Sequence, residues 1–257
     1  MLDLLGYFLF IIAGLFFGLF GSGGSIIILP VLIYIFKIPI YEATTYSLLL
    51  VFLVSISGTL KHIADYNLHI KKIIYFAAPA LLFTSISRVF LFPAIPDYID
   101  ILHMSKHTFL MVLFGVVILA SSLSLMKKNT LNINYNLKFV LVFIGILIGL
   151  LSGLLGIGGG FIIVPSLIIF ARMDMKEAAS STLLLISLNT FLAIILEITI
   201  FHFQFDFIFI SLLLIAGLIG LILGIYLLKK INLNLIKKMF SIALLFLSLV
   251  IFFIELI

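Results

Sequence analysis

Gly21-Ser-Gly-Gly-Ser25 interrupts an apolar run that leads in from Tyr7 to Phe20 and out from Ile26 to Phe36. Each glycine disfavours helix by about 1 kcal/mol relative to alanine, and four small residues beside Gly21 leave the backbone uncovered. Broken backbone at membrane depth is tolerated only where protein buries it or where it lines a watery cavity. The same device recurs as Gly156-Ile-Gly-Gly-Gly160. Two broken segments in one apolar chain predict a transport site.

The surrounding composition sets the class. Of 257 residues, 65% are hydrophobic and only 10% charged, too few charges to coat a soluble domain of this length. Several apolar runs reach the roughly 20 residues that cross a bilayer. The expectation is an all-α polytopic membrane protein, a single transmembrane transporter domain over 1–257. A net charge of +5 raises nucleic acid as a partner, but the basic residues are scattered between apolar spans and form no patch. Their expected work is to orient helices. No cysteine is present, which excludes disulfides, thiolate catalysis and cysteine metal sites. Met1 to Asp3 carry no basic n-region, so no cleavable signal is expected.

An offset of 135 residues superimposes the two halves. Gly14, Gly18, Gly21, Gly23, Gly24 and Pro30 fall on Gly149, Gly153, Gly156, Gly158, Gly159 and Pro165. Glu42-Ala43 falls on Glu177-Ala178, Ser47 on Thr182 and Lys37 on Arg172. From residue 14 to 50 there are 17 identities in 37 ungapped positions, and the matched Gly, Pro and Glu are hard to obtain by accident in a Leu/Ile-rich chain. The expected organisation is a duplication, with repeat one at about 1–126, a linker at 127–136 and repeat two at about 137–257.

Charge then orients the repeats. If each of the eight segments crosses once, the 15 Lys and Arg divide six to nine. If each broken segment enters and returns to its own side, they divide twelve to three, with only Lys37, Arg88 and Lys106 opposite the rest. The second division is a strong positive-inside pattern. Three net crossings per half, an odd number, make two inverted repeats. Each repeat has one broken, re-entrant-type hairpin segment plus three transmembrane helices. Ile26 to Phe36 rises only about 16 Å as a helix, too short to span.

Inverted repeats on discontinuous helices hold substrate near the midplane, between half-helix ends. Both breaks precede an apolar half-helix, whose free amides and positive dipole end point back into the glycine loop. Gly21, Ser22, Gly23, Gly24 and Ser25, with Gly156, Gly158, Gly159 and Gly160, are therefore the candidate anion-binding backbone. Ser47, Thr182 and Asn189 are the candidate side-chain donors, although membrane hydroxyls by default bond their own or a neighbouring helix. Thr44, Val51, Ser55, Thr59 and Thr190 share those faces with a weaker claim. Gly14, Gly18, Gly149, Gly153, Gly220 and Gly224 fit small-xxx-small packing better. Pro30 and Pro165 are hinge or kink candidates, and Lys37 and Arg172 are candidates for the two entrances. His62, His202 and Glu197 are weighed as proton relays, with an interfacial structural role expected. Arg88 has no counterpart in the second repeat and is not expected to be a ligand. No metal site and no cofactor is expected.

At these residues the chain resembles the TauE/SafE family of sulfite exporters and related anion permeases. The resemblance rests on Gly18-Leu-Phe-Gly-Ser-Gly-Gly-Ser-Ile-Ile-Ile-Leu-Pro30 and Gly153-Leu-Leu-Gly-Ile-Gly-Gly-Gly-Phe-Ile-Ile-Val-Pro165. Ala43-Thr-Thr-Tyr-Ser-Leu48 and Ala178-Ala-Ser-Ser-Thr-Leu183 fit as well, as do the polar connections from His62 to Asp65 and from His202 to Asp206. Ser25 stands where the second copy has Gly160, and Ser22 where it has Ile157, which makes the first loop the more polar. The resemblance implies export or permeation of sulfite, sulfonates or similar sulfur anions, whereas spacing alone reaches only a small anion. The expected partners are that anion, the lipid bilayer and a second copy of the chain; the expected location is the prokaryotic plasma (inner) membrane. Alternatives are a carrier of a metal cation or zwitterion, an intramembrane enzyme and a non-transporting scaffold. The chain shows neither an intramembrane acidic or His-rich cluster nor a His-Glu-x-x-His motif.

Overall fold

The structure, a computed structural model, describes residues 2–63, 70–126 and 137–256. The linker at 127–136 and the connection at 64–69 lie outside those residues. Helix α1 (Leu2–Phe20) stops at the first glycine cluster, and α2 (Ser25–Pro30) runs on as a π-helical stretch, Val31–Ile35. Then come α3 (Ile40–Ile63), α4 (Ile70–Ile86, extended by a π-helical Ser87–Leu91), the short α5 (Phe92–Ala94) and α6 (Lys106–Met126). A two-stranded ribbon, β1 (Tyr98–Ile99) with β2 (Met104–Ser105), joins α5 to α6. The second half is α7 (Leu137–Leu155), α8 (Gly160–Ile169), α9 (Met175–Thr199), α10 (Phe207–Leu228) and α11 (Leu233–Leu256). Every segment expected from the sequence is present, and both glycine clusters break the helix.

Among the described residues, seven helices are long and apolar enough to span a bilayer, and Leu4–Phe20, Ser25–Ile35 and Gly160–Ile169 are shorter apolar helices. Large apolar side chains stand exposed along the outer faces: Phe143 and Leu147 on α7, Ile215, Ile219 and Ile222 on α10, Leu249 and Phe253 on α11. A water-facing surface does not carry patches of that extent. These faces meet lipid, and the chain is an integral membrane protein.

The helices exchange partners between the two halves. α1 lies beside α10 with close backbone approach: a Cβ on Gly14 would sit 1.9 Å from the Gly217 carbonyl oxygen, and one on Gly18 2.5 Å from that of Leu221. The equivalent pair is α7 with α4, where a Cβ on Gly145, Gly149 or Gly153 would meet the carbonyl oxygens of Phe76, Ala80 or Thr84. In both pairs the contact numbers rise together, so the helices run parallel. The small-xxx-small glycines thus pack helix on helix, as their spacing predicts. Thr84 Oγ1 and Ser87 Oγ tie α4 to α7 by donating to the carbonyls of Gly149 and Leu150.

α3 and α9 run antiparallel. Thr45 lies against Glu197, Phe52 against Phe191, and Gly58 against Leu183, so the numbers rise on one helix as they fall on the other. α6 and α11 do the same, with Gly115 facing Phe252 and Ser122 exchanging hydrogen bonds with Ser241.

Helix ends are fixed by local chemistry. Asp174 caps α9 by accepting from the Glu177 amide at 2.8 Å, and the Glu177 carboxylate accepts from the Asp174 amide. This capping box fixes the start of α9. Asp206 caps α10 through the amides of Ile208 and Phe209. Lys37 (φ 55°) and Arg172 (φ 54°) are exposed left-handed residues just past the two half-helices. The next amide reaches back six residues, from Ile38 to the Leu32 carbonyl and from Met173 to that of Leu167. These are left-handed helix ends one residue wider than a Schellman turn, and the cations complement the negative end of the dipole. His202 (φ 51°) ends α9 in the same way, exposed, with Phe203 donating to the Glu197 carbonyl. It is a helix terminator, in line with the structural role expected. The His62 side chain is not described.

Candidate functional site

Each glycine loop ends one helix and starts another. The Gly21 amide donates to the Phe17 carbonyl and the Gly156 amide to that of Ser152, both at 2.9 Å, and both glycines turn left-handed (φ 73° and 67°). That conformation costs an L-residue about 1–2 kcal/mol and costs glycine little. The half-helices then begin at Ser25 and Gly160. The amides of Ile27 and Ile28 return to the Gly24 carbonyl, and those of Ile162 and Ile163 to the Gly159 carbonyl. A helix start leaves its first amides without intrahelical acceptors, and these starts open into the loops.

Each loop is packed against the other repeat. Gly21 lies on the backbone of Ala179 in α9, where a Cβ would sit 2.2 Å from its carbonyl oxygen. Gly156 lies on Thr44 in α3, 2.5 Å by the same measure. Thr44 and Ala179 are equivalent under the 135-residue offset, so one contact is made twice. The loops also meet each other, since a Cβ on Gly160 would be 2.3 Å from the Cβ of Ser22. Gly158 faces Val51 of α3 together with Ile186 and Thr190 of α9. Ser47 shares a helix face with Thr44 and Val51, and Thr182 shares one with Ala179 and Ile186. Each helix therefore turns a hydroxyl toward the loop of the opposite repeat.

Those hydroxyls are unusual in lacking partners. Ser22 Oγ, Ser47 Oγ, Ser181 Oγ, Thr182 Oγ1 and Asn189 Oδ1 are buried and hydrogen-bonded to nothing among the described residues. Leaving a buried polar group unpaired costs about 1–3 kcal/mol, so unpaired atoms on the first loop and on α3 and α9 call for a polar ligand or water. Four of the five belong to residues singled out in the sequence; Ser181 does not. Asn189 Nδ2 donates to Ser152 Oγ at 2.8 Å. The Ser152 hydroxyl can donate as well as accept, so turning the amide over would exchange the free carbonyl for a free NH2.

Other sequence candidates are placed elsewhere or already engaged. Ser25 Oγ donates to the Ser22 carbonyl at 2.9 Å, inside its own loop. Thr44, Ser55, Thr59 and Thr190 donate to carbonyls of their own helices, the default for membrane hydroxyls. Gly23 and Gly24 keep negative φ; Gly24 is right-handed at −68°, whereas Gly158 and Gly159 are left-handed, so the two loops differ in backbone path. α8 continues through Pro165, while Pro30 stands where α2 passes into the π-helical stretch. Proline removes one i→i−4 bond, and a wider turn next to it is a common accommodation. Lys37 and Arg172 are at helix C-termini, outside the loop site.

The sequence reading misplaced Arg88 and Glu197. It set Arg88 aside as a ligand and gave Glu197 an interfacial role, yet both side chains are fully buried and ion-paired, Nε to Oε1. Arg88 also donates from Nη2 to Thr45 Oγ1 at 2.8 Å and from Nη1 to Thr44 Oγ1 at 3.1 Å, with the Gly153 carbonyl at 3.4 Å. The other oxygen of Glu197 accepts from Tyr41 OH at 3.0 Å and from Thr45 Oγ1 at 3.3 Å. The Phe92 ring covers the guanidinium at 4.5 Å. The pair joins α3, α4, α7 and α9, and through Thr44 and Gly153 it abuts the second glycine loop. Its one signal in the sequence was the presence of intramembrane charges, which are functional candidates by default.

A bundle of apolar helices, two of them broken at buried glycine loops lined by unpaired hydroxyls, defines the class: a polytopic membrane permease. Residues 7–251 match the family model for the sulfite exporter TauE/SafE, and the chain belongs to that family. Comparisons with curated proteins and with solved structures found no match. The family is one of transporters, not of enzymes.

Proposed function

We propose that this protein is a secondary transporter of a small oxyanion, sulfite or a related sulfur anion such as an organosulfonate, in a prokaryotic inner membrane. The observation that carries the reading is the set of buried, unpartnered hydroxyls at two glycine loops that meet between the repeats. Hydroxyls and helix-start amides donate to an anion, and glycine lets the backbone approach it. Hard cations need oxygen-rich or carboxylate sites. Among the described residues, no group of three His, Asp or Glu gathers to make one. Reconstituted in liposomes, the protein is expected to show saturable flux of sulfite, with thiosulfate and taurine as the next candidates. Saturable nickel flux without anion flux would overturn the reading.

Alternating access would follow from inversion of the repeats. Antiparallel contact of α3 with α9 and of α6 with α11 supports a two-fold axis lying across the helices, which is what inverted repeats require. The chain has no native cysteine, so single cysteines report topology cleanly. Lys61→Cys and Lys229→Cys should be labelled from one face of the membrane and Asp100→Cys from the other. Labelling of Lys61→Cys and Lys229→Cys from opposite faces would mean single crossings and no inversion.

Thr182→Val separates a ligand role from a structural one. The exchange keeps the shape and removes a buried hydroxyl with no partner among the described residues, so the protein without anion should gain about 1–3 kcal/mol. Loss of that donor should weaken sulfite transport about tenfold through a higher KM, since a hydrogen bond to a charged group is worth about 1.5–3 kcal/mol. A thermal midpoint that falls with unchanged KM would assign Thr182 to packing alone.

A further inference from the structure

Among the described residues, Arg88 and Glu197 form a fully buried ion pair that the glycine-loop site does not use. Arg88 Nε and Tyr41 OH donate to the Glu197 carboxylate, and Thr45 Oγ1 lies 3.3 Å from it, sharing its proton with the Tyr41 carbonyl at 3.0 Å. A guanidinium and two hydroxyls closing on two oxygens are the elements of an oxyanion seat. Here an internal carboxylate fills it. Arg88 sits on the π-helical Ser87–Leu91, a local irregularity often found where a helix carries function.

The seat lies behind the wall of a cavity, its two charged side chains without exposed area. This cavity, of about 210 Å³, is lined by Tyr41, Arg88, Phe92, Lys106, Glu197 and Phe201. Lys106 Nζ lies over the Phe92 ring at 4.2 Å and donates to the Phe92 carbonyl. Arg88 and Lys106 bring two cations to this cavity against Glu197, and Asp97 acts on Lys106 from beside it. On its inner side Arg88 touches Thr44 and Gly153, the residues that flank the second glycine loop. Arg88 thus borders the cavity and also touches residues next to the second loop.

We propose that this cavity is a second binding site for the transported oxyanion, and that Glu197 holds Arg88 until an arriving anion displaces it. The inference rests on the anion-transport reading above. In the anion-free protein Glu197 satisfies Arg88, which would otherwise be a buried unpaired charge. An oxyanion in the cavity offers the guanidinium equivalent acceptors, and the released carboxylate keeps Tyr41 and Thr45 as donors. The pair then acts as a latch on the route between the cavity and the second loop. The second repeat has no counterpart of Arg88, so the latch serves one side only.

Equilibrium binding of radiolabelled sulfite to the purified full chain in detergent tests this, with thermal denaturation as the check on folding. Glu197→Gln keeps the shape but removes the competing charge, and it is expected to bind sulfite at least about tenfold more tightly, because juxtaposed like charges cost several kcal/mol. Lys106→Gln, a half-buried change at the cavity wall, should bind it several-fold more weakly with an unchanged melt. A folded Glu197→Gln protein that binds sulfite no more tightly than wild type overturns the proposal. If Glu197→Gln does not fold, wild-type affinity in Lys106→Gln overturns it instead. Wild-type protein that carries sulfite while these variants behave as wild type sinks only the latch. Wild-type protein that neither binds nor carries any oxyanion sinks the transport reading itself.

Discussion

In Gly156→Ala, sulfite flux is expected to fall at least tenfold, with membrane insertion retained. The added methyl group would lie 2.5 Å from the Thr44 carbonyl oxygen, 2.7 Å from its Cβ and 2.8 Å from its Cα, and a φ of 67° already excludes comfortable placement of an L-residue. Left-handed strain of about 1–2 kcal/mol and overpacking of about 1–3 kcal/mol add in the same direction. Neither can be relieved by a rotamer change, because the groups in the way are mostly backbone. The loop must therefore move off α3, and a loop displaced by even 1 Å no longer presents its amides where Ser47 and the facing loop require them. Gly21→Ala meets the Ala179 backbone at 2.2–2.6 Å and should fail similarly. Gly58→Ala is the control. Its new Cβ meets only the methyl ends of Leu183 and Leu221 at 3.2–3.4 Å, which can shift, so flux should stay near wild type. Wild-type flux in both Gly156→Ala and Gly21→Ala would show that close packing of the loops is dispensable.

Arg88→Met should lower stability by about 3–5 kcal/mol, because it leaves the Glu197 carboxylate buried with no cation. Glu197→Met alone should cost a similar amount by stranding the guanidinium. The double variant is expected to recover most of the loss, since apolar side chains of like volume replace a buried ion pair at little cost. Denaturation midpoints of the two single variants and the double in one detergent measure the coupling. A double variant as unstable as the sum of the singles would mean that Arg88 and Glu197 act separately. Recovered stability without recovered sulfite binding would tie the pair to the ligand as well as to the fold.

Much of the site was legible because it is written in residue types that do something locally. Glycine clusters end helices wherever they occur, and their repetition 135 residues apart marked both breaks and the equivalence of the halves. Ser22, Ser47, Thr182 and Asn189 stood out as polar residues in apolar segments, and the structure leaves a polar atom of each without a partner. Lys37 and Arg172 were legible as a matched pair but not as left-handed helix ends, since that depends on the six-residue hydrogen bonds behind them. Pro165 was indistinguishable from Pro30 in sequence, yet only Pro30 adjoins a π-helical stretch.

The sequence by itself determined the membrane class, the order of the segments, both helix breaks and the polar atoms beside them, because each follows from hydropathy and backbone propensity along the chain. Only the tertiary structure decided which helix each loop lies against, and that Arg88 and Glu197 meet. Those two residues are 109 positions apart, on α4 and α9. A charge near the end of an apolar segment reads the same whether it faces headgroups or a neighbouring helix. Its meaning is set by what packs over it, and here Thr44, Thr45, Tyr41, Phe92 and the Gly153 carbonyl turn two apparent surface charges into a buried pair beside the second glycine loop.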